Sequence, residues 1–208
     1  MWQRHKTQWT QKFFIYNVIL GAVLLFVAFA LNQYANSYVV AHASNKVTDI
    51  LLDNLPTIDV HVIFSEGAAL FMFIVVLLLL WDPKYIPFVI KCTATFILVR
   101  SFFMILTHIG IPPNAISIDP NDFVASFSSG NDLFFSGHTG YPLLLALIYW
   151  KNKAWRVFFL ICSLIGGVIV ILGHLHYSID VFSALFITFG IYYFCQKLFH
   201  KDYQLTTV

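Results

Sequence analysis

Residues 62–81 read VIFSEGAALFMFIVVLLLLW, a run in which Glu66 is the single charged group. A helix of this length spans roughly 30 Å, the thickness of the hydrocarbon core of a bilayer. Comparable apolar runs recur along the chain, at about 13–32, 86–108, 133–150, 155–174 and 179–199. The sequence therefore predicts an all-α polytopic membrane protein with six transmembrane helices, built as a single domain over residues 1–208.

The overall composition excludes a soluble globular domain. Of the 208 residues, 59% are hydrophobic and 11% are charged. In soluble domains about a quarter of all residues are normally charged. We expect the first apolar run to remain a membrane span, because its core is too long for a cleaved signal peptide. Lipids and the bilayer, rather than nucleic acid, are the expected partners. Cys92, Cys162 and Cys195 fall inside predicted spans without metal-ligand spacing, which indicates packing roles.

The distribution of charge predicts the orientation of the chain. If there are six spans, one side of the membrane receives nearly all the basic residues near span ends: Arg4, Lys6, Lys12, Lys84, Lys151, Lys153, Arg156, Lys197 and Lys201. The opposite loops, 33–61 and 109–135, hold one lysine, Lys46, against six aspartates. By the positive-inside rule both termini are cytoplasmic. Two histidine motifs, FSGHT ending at Thr139 and HYSID ending at Asp180, then face the extracytoplasmic side together.

Six ionisable residues lie at or near the outer ends of the predicted spans. Charged groups in such positions are costly and usually mark a functional site. They are Glu66, Arg100, Asp132, His138, His176 and Asp180. Lys91 lies near the cytoplasmic end of its span, where a lysine side chain can reach the headgroups, so we expect it to snorkel.

The residue types in this group suit phosphoryl transfer without a metal or another cofactor. His176 and Asp180 are four residues apart, so on a helix the carboxylate can orient the imidazole. His138 supplies a second imidazole for acid–base work, and the Ser136–Gly137 turn can aim backbone N–H groups at an anion. The guanidinium of Arg100 can hold the non-bridging phosphate oxygens. One histidine then attacks phosphorus while the other protonates the leaving oxygen.

Two other interpretations of these residues compete with catalysis. Any single histidine could simply lie at the headgroup level, capping a helix end. His174, His176 and Asp180 could instead be metal ligands, but His174 and His176 diverge on a helix and no cysteine completes a shell. A separate segment, residues 43–56, carries apolar side chains at helical spacing and is compatible with a short helix on the outer membrane surface or with an ordinary solvated turn.

These motifs resemble those of the type 2 phosphatidic acid phosphatase (PAP2) superfamily, and within it the sphingomyelin synthase-like branch, over a core of about residues 55–190. NDLFFSGHT carries an acidic residue, Asp132, six positions before His138, and HYSIDV matches the second histidine motif of the branch. RSFFMILTHIGIPP matches an Arg–Ser stretch that leads to threonine and prolines. Glu66 in FSEG falls where the branch has an early glutamate in its second span.

The resemblance implies that His176 is the nucleophile, Asp180 its partner and His138 the general acid and base, with Glu66 and Asp132 completing a polar set. The chain departs from the broader superfamily in more than one respect. Its basic motif, which has Lys, Arg and Pro in the superfamily, is reduced to Arg100. A Ser–Arg pair expected before the second histidine motif is replaced by Ile169 and Val170.

The shortage of arginines predicts a singly charged substrate. A phosphate monoester is nearly a dianion at neutral pH and calls for several cationic groups, whereas a phosphodiester headgroup brings one negative charge for Arg100. A choline or ethanolamine cation could be accepted by Glu66, Asp132 or an aromatic such as Tyr177. His174 is a further candidate contact near the second motif.

The leading hypothesis is a lipid phosphotransferase that moves a phosphocholine or phosphoethanolamine headgroup from a phospholipid to a lipid alcohol such as ceramide or diacylglycerol. With water as acceptor, the same residues would make a phosphatase or phospholipase C. A small transporter is the non-enzymatic alternative, but it predicts polar residues through the full membrane depth. We expect the catalytic face to be extracytoplasmic, periplasmic or lumenal, with a bacterial plasma membrane favoured by the compact chain.

Overall fold

The computed structural model describes residues 2–118 and 133–207, and every regular element within this part of the chain is helical. The elements are α1 (Trp2–Trp9), α2 (Lys12–His42), α3 (His61–Trp81), a 3-10 turn (Pro83–Tyr85), α4 (Ile86–Leu106), α5 (Gly137–Ile148), α6 (Lys153–Leu172), α7 (Ser178–Leu198) and α8 (His200–Thr207). The all-α prediction is confirmed.

Within residues 2–118 and 133–207, five helical segments are long and apolar enough to cross a membrane: α2, α3, α4 with the preceding 3-10 turn, α6 and α7. The helix at the fourth predicted span, α5, has 12 residues instead of the expected run over 133–150, so its length of about 18 Å is less than a bilayer core. Its residues are mostly buried, and it packs against α4, α6 and α7. The multi-pass character is confirmed, while the count of six spans stays a prediction.

The first predicted span is longer than its apolar run. Helix α2 continues ten residues past the predicted end at residue 32 and stops at His42. The helix packs on α4, where the Ser101 hydroxyl donates a hydrogen bond at 3.2 Å to Oδ1 of Asn32, the last residue of the predicted span. Ala35 and Val39 bury against Met104 in the same interface. The extra turns are therefore stabilised by tertiary contacts. The hydropathy of the sequence does not predict such contacts, so the apolar run underestimates the length of the helix.

The segment at 43–56 does not form a surface helix. It contains a single turn, in which Asp53 N donates to Asp49 O and Leu55 N donates to Leu51 O. The chain on either side pairs with the loop that follows α4: Ser44 N donates to His108 O at 2.7 Å, and Gly110 N donates to Asn45 O at 3.1 Å. Three apolar residues of the pattern, Val47, Ile50 and Leu55, are exposed. The segment nevertheless forms a turn and not a helix, so the interpretation as a membrane-surface helix was wrong.

The two ends of the described chain pack at the same end of the bundle. Helices α1 and α8 both contact the 3-10 turn at Pro83–Tyr85. Nearby, Lys91 Nζ lies 2.6 Å from Asp202 Oδ2 of α8 and 2.5 Å from Asn17 Oδ1 of α2. The Lys91 side chain is 2% exposed, so the prediction that it snorkels to the headgroups was wrong. A carboxylate and an amide meet it inside the bundle instead. Which side of the membrane this end faces stays a prediction.

Candidate active site

The two histidine motifs meet at the opposite end of the bundle. Ser136 N, at the start of α5, donates a 2.9 Å hydrogen bond to the backbone carbonyl of Asp180 in the first turn of α7. The turn into α5 is strained, because Phe134 and Phe135 both have positive φ angles, of 86° and 34°. Bulky residues rarely adopt this region, and such strain clusters at functional sites. The turn places Ser136 and the following histidine beside α7.

His176 and Asp180 form the pair that their spacing predicted. His176 Nδ1 lies 3.0 Å from Asp180 Oδ2, and the same carboxylate oxygen accepts the backbone N–H of Tyr177 at 3.1 Å. Asp180 is fully buried and His176 is 5% exposed. A buried carboxylate that is bonded to one ring nitrogen fixes the orientation of the imidazole. The other ring nitrogen, Nε2, does not contact this carboxylate and is available to react with a substrate.

His138 lies in the first turn of α5, where its backbone and ring are both constrained. Pro142 has no N–H to bond the His138 carbonyl, and α6 approaches there so closely that a Cβ on Gly166 would collide with that carbonyl. The next carbonyl, of Thr139, accepts a 2.7 Å hydrogen bond from the Ser163 hydroxyl of α6. The His138 ring stacks on Phe64 of α3, with centroids 4.2 Å apart.

Arg100 reaches the site from α4. Its Nε donates to the Phe135 carbonyl at 3.2 Å, and the side chain is 9% exposed. The position that a Cβ would take on Gly137 is 3.8 Å from the same Nε. The guanidinium is therefore held against the strained turn and the first residue of α5.

One cavity joins these groups. It has a volume of about 390 Å³ and is lined by Arg100, Gly137, His138 and His176 together with apolar side chains of α2 to α6 and of two loop residues, Ile118 and Leu175. The α3 residues on its wall run from Ile63 to Met72, which corresponds to about 13 Å along that helix. The site thus combines one cationic and two imidazole groups with an extended apolar space.

Several predicted site residues lie outside this cavity. Glu66 is exposed on the face of α3 opposite the residues that line the cavity. His174 packs between two loops, with Nδ1 2.9 Å from Pro113 O and Nε2 3.2 Å from Leu55 O. Tyr177 is buried and donates its hydroxyl to Gly110 O at 2.9 Å. The structure does not bring these three side chains to His138, and their assignment to the substrate site stays a prediction. Asp132 lies outside the described residues.

The structure adds two residues that the sequence pattern did not single out. Phe64 packs on the His138 ring, but nothing distinguished it from the other 21 phenylalanines. Asp49 is bonded to the first residue of α7, Ser178. It is one of six loop aspartates, and nothing in the sequence pattern sets it apart from the others.

Comparison with known proteins agrees with this arrangement of motifs. Residues 129–197 match the family model described as PAP2 superfamily, C-terminal, which covers both histidine motifs. This segment is therefore similar to the PAP2 superfamily, and the similarity suggests lipid phosphatase or phosphotransferase chemistry. The chain is also similar to sphingomyelin synthase-related protein 1 of Homo sapiens, with 22% identity over 217 aligned residues. The match covers 88% of this chain and 52% of that protein, so the chain spans about half the length of its curated relative. The sphingomyelin synthase-like resemblance is confirmed.

Proposed function

We propose that the protein is a membrane phosphotransferase that moves a phosphodiester headgroup, of the phosphocholine or phosphoethanolamine type, from a phospholipid to a lipid alcohol such as ceramide or diacylglycerol. The observation that carries the proposal is the single cavity in which two histidines and one arginine adjoin an apolar space. The histidines and the arginine suit the phosphate of a headgroup, and the apolar space suits an acyl chain. The name of the relative supports a sphingolipid-type acceptor.

The charge of the site favours a diester over a monoester. Of the described residues that line the cavity, Arg100 is the only lysine or arginine, and residues 119–132 contain neither residue type. A monoester dianion placed there would have one permanent positive charge against two negative charges, in surroundings of low dielectric. A diester monoanion needs fewer cationic contacts than a dianion does, and the first-turn N–H groups of α5 add further donors to its oxygens.

The proposed reaction has two displacement steps at phosphorus. His176 Nε2 attacks the donor, the bond from phosphorus to the glycerol oxygen breaks, and His138 gives its proton to that oxygen so that diacylglycerol leaves. Asp180 stabilises the positive charge that develops on the His176 ring. The acceptor hydroxyl then loses its proton to His138 and attacks phosphorus, and the P–N bond breaks. Both histidines return to their starting states.

The acceptor test uses purified protein in lipid nanodiscs with headgroup-labelled phosphatidylcholine or phosphatidylethanolamine. We expect label to appear in a new lipid when ceramide, or diacylglycerol with acyl chains different from those of the donor, is added, and little water-soluble label in their presence. Release of water-soluble label at the same rate with and without an acceptor would show that the protein hydrolyses the donor, as a phospholipase C does, and is not a transferase. Faster turnover of phosphatidic acid than of either diester would contradict the charge argument and favour a phosphatase.

A further prediction concerns the apolar part of the cavity. Gly67 lines it, and a Cβ built there meets only Ile63 Cγ2, at 3.8 Å. Gly67→Leu therefore adds bulk without a backbone clash. We expect turnover of a long-chain donor to fall by at least about tenfold, because a pocket discriminates by this much for each methylene group that no longer fits. Turnover of a dihexanoyl donor, whose chains occupy less of the cavity, should change much less.

Gly190→Leu is the matched control. Gly190 is exposed on α7, outside the residues that line the cavity, and a Cβ there meets nothing within 4 Å. This variant should process both donors as the parent protein does. Equal losses for long and short chains in Gly67→Leu would show that the cavity does not hold the acyl chain.

A further inference from the structure

The side chain of Asp49, in the loop that precedes α3, accepts four hydrogen bonds. Its Oδ1 accepts the backbone N–H groups of Leu51 and Leu52, at 2.9 and 3.2 Å. Its Oδ2 accepts both the backbone N–H and the hydroxyl of Ser178, at 2.7 and 2.8 Å. The residue is 9% exposed. A carboxylate that bonds its own loop on one side and α7 on the other fastens the two together.

Ser178 is the first residue of α7 and lies between the two members of the His176–Asp180 pair. A carboxylate at this position also interacts favourably with the positive end of the α7 dipole. The adjoining residue, Tyr177, donates its N–H to the Asp180 oxygen that contacts His176. The backbone that Asp49 holds is therefore the backbone that sets the geometry of the pair.

The loops themselves are anchored, so Asp49 is not at the end of a mobile segment. The Tyr177 hydroxyl donates to Gly110 O and accepts the Val47 N–H at 3.3 Å. Ile58 N donates to Leu172 O at the end of α6, at 2.8 Å. This network joins the loop of Asp49 to α6, to α7 and to the loop after α4.

The protonation state of Asp49 suits this task. Partial burial alone would raise its pKa, but hydrogen bonds from Ser178, Leu52 and Leu51 outweigh burial and hold the pKa below its ordinary value. The stabilising contribution of a carboxylate with a lowered pKa is complete above its ordinary pKa and fades only as the pH falls below it. The four bonds are therefore maintained through the neutral and mildly acidic range.

We infer that Asp49 is a positioning residue that holds the His176–Asp180 pair in its reacting geometry. The inference rests on the proposed function for its kinetic consequences. A small displacement of a reacting group lowers the rate of the chemical step more than it weakens binding, because the substrate contacts elsewhere in the cavity are unchanged.

The kinetic test compares Asp49→Ala with Asp53→Ala. Asp53 belongs to the same loop and is exposed, and it accepts the Asp49 N–H at 3.1 Å. We expect Asp49→Ala to lower kcat by about 100-fold with little change in KM, and Asp53→Ala to retain most of the activity. Ser178→Ala, which keeps the backbone N–H, should give an intermediate loss that is not additive with Asp49→Ala. An equal fall in kcat for both aspartate variants, or a change confined to KM, would show that Asp49 only stabilises its loop.

A second readout does not depend on the lipid reaction. In protein with ¹⁵N-labelled histidine, the His176 resonances are identified by their absence in His176→Ala. We expect one tautomer for His176 in the parent protein and in Asp53→Ala, and a mixture in Asp49→Ala. An unchanged His176 spectrum in Asp49→Ala would overturn the inference. If no diester is turned over at all, the proposed function fails, and this spectrum still decides the role of Asp49.

Discussion

His176→Ala is expected to abolish headgroup transfer and to prevent formation of any covalent phosphoenzyme. The His176 ring is the protein group that bonds to phosphorus in the proposed reaction, so its removal should lower turnover by about 10⁴-fold or more. The measurement is transfer of labelled headgroup together with acid-labile label retained on the protein after a single turnover. His200→Ala is the matched control, because His200 is exposed on α8, where its ring bonds Gln204.

His138→Ala should separate the two histidines by their roles. A donor with a p-nitrophenolate leaving group needs no protonation, so this variant should still form the phosphoenzyme from p-nitrophenyl phosphocholine while failing with phosphatidylcholine. The second displacement should also slow, because the acceptor hydroxyl has lost its base, and the phosphoenzyme should accumulate. Retained label in His176→Ala, or equal loss with both donors in His138→Ala, would contradict the assigned roles.

Lys91→Met is expected to cause a large loss of stability. It removes the ammonium between Asp202 and Asn17 and leaves a carboxylate that is 3% exposed without its countercharge. Breaking a buried ion pair from one side costs about 3–5 kcal/mol. The measurement is the midpoint of thermal unfolding in detergent, followed by tryptophan fluorescence.

Two further variants isolate the cause of that loss. Lys151→Met removes an exposed lysine that bonds the Thr207 carbonyl at 2.8 Å, and it should shift the midpoint only slightly. The double variant Lys91→Met/Asp202→Leu should recover much of the loss, because no unpaired charge remains. A midpoint for Lys91→Met equal to that of the parent protein would show that Asp202 finds another partner.

Sequence periodicity and the cost of charge in lipid were sufficient for much of the fold and for part of the site. Long apolar runs have few alternatives to a spanning helix, so α3, α4, α6 and α7 end within a few residues of their predicted limits. The spacing of His176 and Asp180 fixes a common helix face, and the pair is bonded as expected. The same reasoning misplaced Lys91, because the partner Asp202 lies 111 residues away and its approach is not encoded in local pattern.

By itself, the amino-acid sequence determined the helical class and the grouping of ionisable residues at one end of the spans, because hydrophobicity and charge act residue by residue. Only the tertiary structure decided which of those residues share a cavity: Arg100, His138 and His176 do, whereas Glu66 lies on the outer face of α3. It also decided that α5 is short and enclosed and that Asp49 bonds Ser178, 129 residues away. These outcomes depend on how the helices rotate and pack and on how the loops pair. Contacts between residues that are far apart in the chain produce no periodic sequence pattern from which they could be predicted.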